Sequence, residues 1–323
     1  MRGSLQWVLV RAPAPVACMS FALLCSGQGH QHPGMFDKLE PDPEAQRVLK
    51  DAARALGADV RAWLKGPDDI FGNFRAQPLI CVAQLAAWRA LRDRLPMPAL
   101  LAGYSVGELT SYACADALDV RDLCGLAVNR ARAMDESARL HPGALLVVDG
   151  LRGEELERLG DGLEIWRAII LSETRCIVGG ISRDVDRLAL AARARGAQVQ
   201  GLRVRIAAHT PLLSSAVAPF RAALEASNFS APRIPVMAGV DASMVTRSDD
   251  GIELLCRQLT EPIDWSRCLQ TIYERGCRVV LELGPGAALA RMIHERFPDA
   301  QARSLDDFRS VRGAAEWVRS RIA

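Results

Sequence analysis

The hexapeptide GYSVGE, residues 103–108, sets Ser105 between two glycines directly after the apolar run PALLA. G-x-S-x-G between a strand and a helix is the pattern of a nucleophile elbow. Its glycines let the backbone turn sharply and leave room around a serine hydroxyl at a sheet edge. A helix that starts there aims its first N–H groups and the positive end of its dipole at the same spot. An oxyanion forming beside Ser105 would meet the N–H of Val106. The chemistry on offer is acyl transfer or hydrolysis through an acyl-serine. A serine in an ordinary strand-to-helix turn has the same local pattern, so the motif alone leaves both readings open.

A serine nucleophile needs a base. The histidines are His30, His32, His141, His209 and His294. His30 and His32 sit in a loop, His141 at a domain junction and His294 on a charged late helix. His209, in RIAAHTPLL, follows a buried strand and precedes a helix, which makes it the first choice. The GPG at residues 284–286 lacks the G-x-G-x-x-G run of a phosphate loop and reads as a strand-to-helix turn.

The elements that must position these residues follow from periodicity and breakers. SFALLC, residues 20–25, is a buried strand feeding the loop SGQG. A helix-prone stretch starts at Pro43. Residues 77–95 form a helix with Pro78 in its first turn and Ile80, Ala83, Ala87 and Leu91 on one face. Residues 99–102 are a short strand before the elbow, whose helix runs to about residue 117. Another helix spans residues 119–138. From residue 142 the order is strand, helix, strand, strand, a helix capped by Ser182, and a last strand QVQGLRVR. That βαββαβ order is the split arrangement of a ferredoxin-like module. Helix resumes at Pro211, followed by the strand PVMAGV, a helix at about residues 251–259, the strand RVVLELG and the helix AALARMIHERF. Strands alternating with helices predict a mostly parallel sheet covered on both faces. The expected fold is α/β. Residues 19–141 and 207–323 form an α/β-hydrolase-like core, and residues 142–206 an inserted ferredoxin-like domain.

The 323 residues suffice for a large domain with an insertion. Half are hydrophobic, about a quarter are charged and the net charge is +2, so nothing points to nucleic acid or a membrane surface. The 9 cysteines are odd in number and form no C-x-x-C pair. They read as reduced, buried thiols of a cytoplasmic protein rather than a disulfide frame or zinc site. Residues 1–18 start basic, but Arg11, Pro13 and Pro15 break their apolar runs below the roughly 7–15 residues of a secretory signal core. They are expected to be a disordered extension, with Met19 an alternative start. No run approaches the roughly 20 apolar residues of a membrane span.

Five segments occur in the order CSGQGHQHPGM, GYSVGE with NRARAMDES, AAHTPLL, RQLTEPIDW and LELGPG. In that order they resemble the malonyl-CoA:acyl carrier protein transacylases over nearly the whole chain from about Met19. Tyr104, the Asn73 to Leu79 segment and the RSLDDFRS tail most resemble the malonyl transferase (epsilon) subunit of bacterial malonate decarboxylase. Transacylases of fatty-acid synthesis usually have histidine at the position of Tyr104.

The resemblance implies a two-step transfer through a malonyl-Ser105, with His209 as general base. It implies that the main-chain carbonyl of Gln258 holds the other ring nitrogen, and that the N–H groups of Gln28 and Val106 form the oxyanion hole. Arg130, twenty-five positions after Ser105, is implied to bind the malonyl carboxylate, with Arg132 its near-neighbour alternative. A planar guanidinium can grip a carboxylate with two parallel hydrogen bonds. Tyr104 is a substrate-pocket candidate. Ser26 stands where relatives often have proline, Ala208 at a position linked to acyl selectivity, and Glu108 reads as a structural or capping residue.

The implied partners are malonyl-CoA, an acyl carrier protein and the other malonate decarboxylase subunits. The coenzyme A thioester is the substrate, and no metal or redox cofactor is expected. Carrier proteins are typically acidic, so Arg187, Arg193 and Arg195 are candidates for a docking rim, although a solvated helix face accounts for them better. Three other functions share parts of this pattern. The same transfer could serve fatty-acid or polyketide synthesis. A serine thioesterase or esterase would carry the same elbow. A non-catalytic carrier-docking subunit would not need the Ser105 and His209 pair.

Overall fold

The computed structural model describes residues 20–65, 70–202, 204 and 206–322. The expected extension over residues 1–18 and the alternative start at Met19 lie outside the described residues. Phe21, Ala22, Leu23 and Leu24 on β1 (Ser20–Cys25) are each no more than 2% exposed. Neighbours on a strand point to opposite faces, so both faces of this strand are covered.

The further strands are β2 (Leu100–Gly103), β3 (Gly143–Asp149), β4 (Ile165–Ile170), β5 (Arg175–Ile181), β6 (Gln198–Gly201), β7 (Val236–Met237), β8 (Met244–Val245), β9 (Ile263–Asp264), β10 (Cys277–Glu282) and β11 (Gln301–Ser304). The helices are α1 (Pro43–Leu56), α2 (Val60–Trp63), α3 (Asn73–Leu91), α4 (Val106–Cys114), α5 (Val120–Leu140), α6 (Gly153–Leu159), α7 (Ser182–Ala194), α8 (Ser214–Ala226), α9 (Ser248–Arg257), α10 (Trp265–Glu274), α11 (Ala288–Arg296) and α12 (Val311–Ile322).

Two sheets result. The first has the order β11-β10-β1-β2-β7-β8, parallel except for the last pair. The second has the order β6-β3-β5-β4-β9, antiparallel except where β9 joins β4. The main apolar core fills the first sheet and its helices. A smaller one, with Leu146, Val148, Val178 and Leu188, lies between the second sheet and its helices α6 and α7. All 8 cysteines among the described residues are free and buried. No helix among them is long and apolar enough to cross a membrane.

Three local expectations need correction. Helix α3 starts at Asn73, so Pro78 falls inside it rather than in its first turn. The N-cap of α7 is Ile181, with extended backbone and no side-chain cap. Ser182 is already helical, and both its N–H, at 3.4 Å, and its hydroxyl, at 3.5 Å, turn back to the Pro142 carbonyl rather than capping the helix. The strand expected over QVQGLRVR is β6 alone; residues 203 and 205 lie outside the described residues. The strand β9 comes from the later part of the chain, yet it pairs with β4 and ties the second sheet to the first unit.

Candidate active site

Strand β2 ends at Gly103 and α4 begins at Val106, leaving Tyr104 and Ser105 to make the turn. Ser105 is held at φ 55° and ψ −118°, a conformation few L-residues adopt. The Tyr104 N–H donates to the Cys25 carbonyl at 2.9 Å and the Gly107 N–H to the Tyr104 carbonyl at 3.0 Å. A Cβ on Gly103 would sit 2.1 Å from the Glu108 nitrogen, and one on Gly107 would sit 2.2 Å from the Cys25 carbonyl oxygen. Both glycines are required because backbone presses on them. Gly107→Ala is therefore expected to destabilise the protein by at least about 3 kcal/mol, as a large drop in denaturation midpoint. An unchanged midpoint would mean that β1 can move aside.

His209 reaches Ser105 from the other side. It too lies in the left-handed region, at φ 62°, with its N–H donating to the Leu259 carbonyl at 3.1 Å. Its Nδ1 is 2.6 Å from the Gln258 carbonyl oxygen and its Nε2 is 2.9 Å from Ser105 Oγ. A carbonyl only accepts, so Nδ1 carries the proton and Nε2 presents a lone pair to the serine hydroxyl. Burial, helped by the Arg130 cation, pushes the imidazole down to about 3, against the pull of the Gln258 carbonyl. The resting ring is thus neutral across the physiological range, with its Nε2 lone pair facing the serine hydroxyl. His30 lines the same cavity; His32, His141 and His294 do not.

Arg130 is buried, and its two terminal nitrogens donate to side-chain amide oxygens, Gln77 at 3.0 Å and Gln258 at 2.9 Å. No carboxylate forms an ion pair with it among the described residues. Burial lowers the guanidinium to about 10, which leaves it charged at neutral pH. A buried cation held only by neutral acceptors is a ready receptor for an anion. Arg132 points elsewhere: it is exposed and lies 5.5 Å over the Phe74 ring.

Gln258 does more than the sequence suggested. Its carbonyl holds His209, its Oε1 accepts from Arg130, and its Nε2 donates to Glu108 Oε2 at 2.6 Å. It does not line the cavity. Gln77 was legible only as part of a family-like segment. The spacing Asn73, Gln77, Gln84 places three buried polar residues on one face of a mostly apolar α3, a signal that could have found it.

Ser105, His209, Arg130, Gln28, Val106 and Tyr104 all line one cavity of about 440 Å³, within the usual range for small-molecule sites. Val106 is the first residue of α4, where the N–H has no partner within the helix. The Gln28 side chain donates to the Phe71 carbonyl at 2.6 Å. Ser26 donates from Oγ to buried Glu282 at 2.7 Å, and Gln84 clamps the Ser26 and Gly284 carbonyls, each at 2.8 Å. Serine thus ties the loop to β10, an anchor that proline could not supply. Tyr104 packs edge-on against Trp265, with ring centroids 5.2 Å apart. Arg175 and Arg291, not Arg187, Arg193 or Arg195, are the exposed arginines that line the cavity.

Residues 22–312 match the model of the acyl transferase domain family. A malonyl CoA-acyl carrier protein transacylase of Haemophilus influenzae is 27% identical over 310 residues, covering 92% of this chain and 99% of the relative. Among solved structures, the malonyl CoA-acyl carrier protein transacylase of Coxiella burnetii superposes with a TM-score of 0.88 at 26% identity, over 93% of this chain and 97% of that one. A malonyl-transacylase solved with its type II polyketide acyl carrier protein gives a TM-score of 0.87 at 27% identity, over 92% of this chain and 99% of that one.

Proposed function

Since the chain belongs to the acyl transferase domain family and is an acyltransferase, we propose that it moves a malonyl group from coenzyme A to an acyl carrier protein. The observation that carries this reading is the buried, carboxylate-free Arg130 in the same cavity as the Ser105–His209 pair. Malonyl differs from acetyl by one free carboxylate, and Arg130 is the cation for it.

Ser105 Oγ attacks the thioester carbonyl while His209 Nε2 takes its proton. The tetrahedral oxyanion is held by the N–H groups of Gln28 and Val106. Collapse breaks the C–S bond, and His209 returns the proton to the departing thiolate. In the second half, His209 takes the proton of the carrier thiol, whose sulfur attacks malonyl-Ser105; collapse breaks the C–O bond, and His209 returns that proton to the departing Ser105 Oγ. Thioester exchange is redox-neutral, so the route calls for no redox cofactor. Buried free thiols suit a cytoplasmic setting. The strand order β6-β3-β5-β4 supports reading residues 142–206 as a ferredoxin-like insertion in an α/β-hydrolase-like core.

The named relatives favour transfer to the carrier of fatty-acid or polyketide synthesis over the decarboxylase setting. A second reading, the carrier subunit of malonate decarboxylase, is supported by Tyr104, the Asn73 to Leu79 segment and the RSLDDFRS tail. Presenting malonyl-CoA with each carrier in turn separates them. Carrier-dependent transfer is expected, fastest to the physiological carrier. Rapid hydrolysis of malonyl-CoA indifferent to any carrier would instead make the protein a thioesterase.

A further inference from the structure

Glu108 is fully buried, and no step of the transfer uses its carboxyl. Its Oε2 accepts from the Gly239 N–H at 2.9 Å and from Gln258 Nε2 at 2.6 Å, while Oε1 has no hydrogen-bond partner. The Gln258 amide therefore stands between Glu108 and Arg130, donating to one and accepting from the other. A carboxylate only accepts and a guanidinium only donates, so this amide has a single allowed orientation. Arg130, for its part, lacks a direct carboxylate partner among the described residues; beside the Cys81 thiol, which burial keeps protonated, Glu108 is the carboxyl whose charge reaches it.

We propose that Glu108 is a specificity-determining positioning residue: it orients Gln258 and supplies a proton-linked counter-charge to Arg130. In the empty pocket its carboxylate balances Arg130 through the amide. When a malonyl carboxylate arrives, two anions share one cation, and Glu108 takes a proton from solvent. This inference rests on the reading that Arg130 holds the malonyl carboxylate.

The groups around Glu108 make it the one that titrates there. Burial pushes its carboxyl up to about 7, opposed by the Gly239 N–H, Gln258 and Arg130. Asp241, on the turn between β7 and β8, raises it further and lies 3.8 Å from Arg257. Tyr112 on the same helix and Cys268 on α10 are held neutral by burial. His209 stays neutral, its imidazole pushed down by burial and by Arg130. A second anion nearby raises a carboxyl further, and by linkage the ionised carboxyl weakens that anion's binding to the same degree. Malonyl preference should thus be highest where Glu108 is protonated and fall as pH rises through its range.

The test is the ratio of kcat/KM for malonyl-CoA over acetyl-CoA, from about pH 6 to about pH 8.5. The ratio cancels titration of the coenzyme A phosphates, the accepting thiol and His209. In the native protein it should fall about tenfold across this range. In E108Q it should be flat and remain high at the alkaline end. Glu282, a second buried carboxyl raised to about 7, lines the cavity from β10 and is bonded to Ser26 and Ala290, so E282Q should keep the native slope. A flat ratio in the native protein, a slope that survives in E108Q, or a slope lost in E282Q would each overturn the proposal. Arg130→Ala separates the two levels. Malonyl preference intact in that variant would remove the anchor itself, whereas preference lost there with a flat native ratio would remove only the role of Glu108.

Discussion

Ser105→Ala is expected to lower malonyl transfer by at least about four orders of magnitude while leaving the fold in place. The attacking oxygen is gone, and nothing else in the cavity can form the acyl ester with His209 as base. The fold should persist because alanine has the same Cβ at the strained φ of 55° and packs in the same space. What the native state loses is the 2.9 Å hydrogen bond to His209, worth about 1 kcal/mol. Steady-state transfer assays beside a thermal melt separate the two effects. Substantial transfer by a folded alanine variant would mean that the acyl group never rests on Ser105.

Arg130→Ala should act on one substrate and spare the other. For malonyl-CoA the variant should lose about 2–5 kcal/mol of transition-state binding, because the free carboxylate would enter a buried pocket without its cation. Acetyl-CoA brings no carboxylate, so its kcat/KM should change far less. Part of the malonyl loss arises indirectly, since Gln77 and Gln258 also lose the donor to their amide oxygens. Arg130→Lys restores the charge but not the planar fork, so it should recover only part of the loss. Equal losses for malonyl and acetyl would reduce Arg130 to a structural cation.

Much of this site is legible in the sequence, because motif order fixes it more firmly than any single motif. The elbow around Ser105, the His209 segment and the Arg130 position are each weak alone and specific together. The strands with long apolar runs, β1 and β10, are equally plain. Other features leave no local trace. The strands β8 and β9 have 2 residues each, too few to show an alternation. Ser182 has the type of an N-cap, yet its hydroxyl turns to the Pro142 carbonyl, 40 residues away, which no local pattern shows. The network of Glu108, Gln258 and Arg130 joins residues 150 and 128 positions apart, so only the fold brings them together. Glu108 reads as a structural or capping residue because it lies in the first turn of α4. Its burial against Gln258 and Gly239 is the structural setting, and only the fold shows those two partners.

The central claim is that malonyl passes through Ser105. Mass spectrometry of the native protein, quenched after malonyl-CoA and digested, tests it most directly. One malonyl group is expected, carried by the peptide that contains Ser105 and discharged when a carrier thiol is added. A malonyl group on another peptide, or carrier loading with no acylated protein at any time, would contradict it.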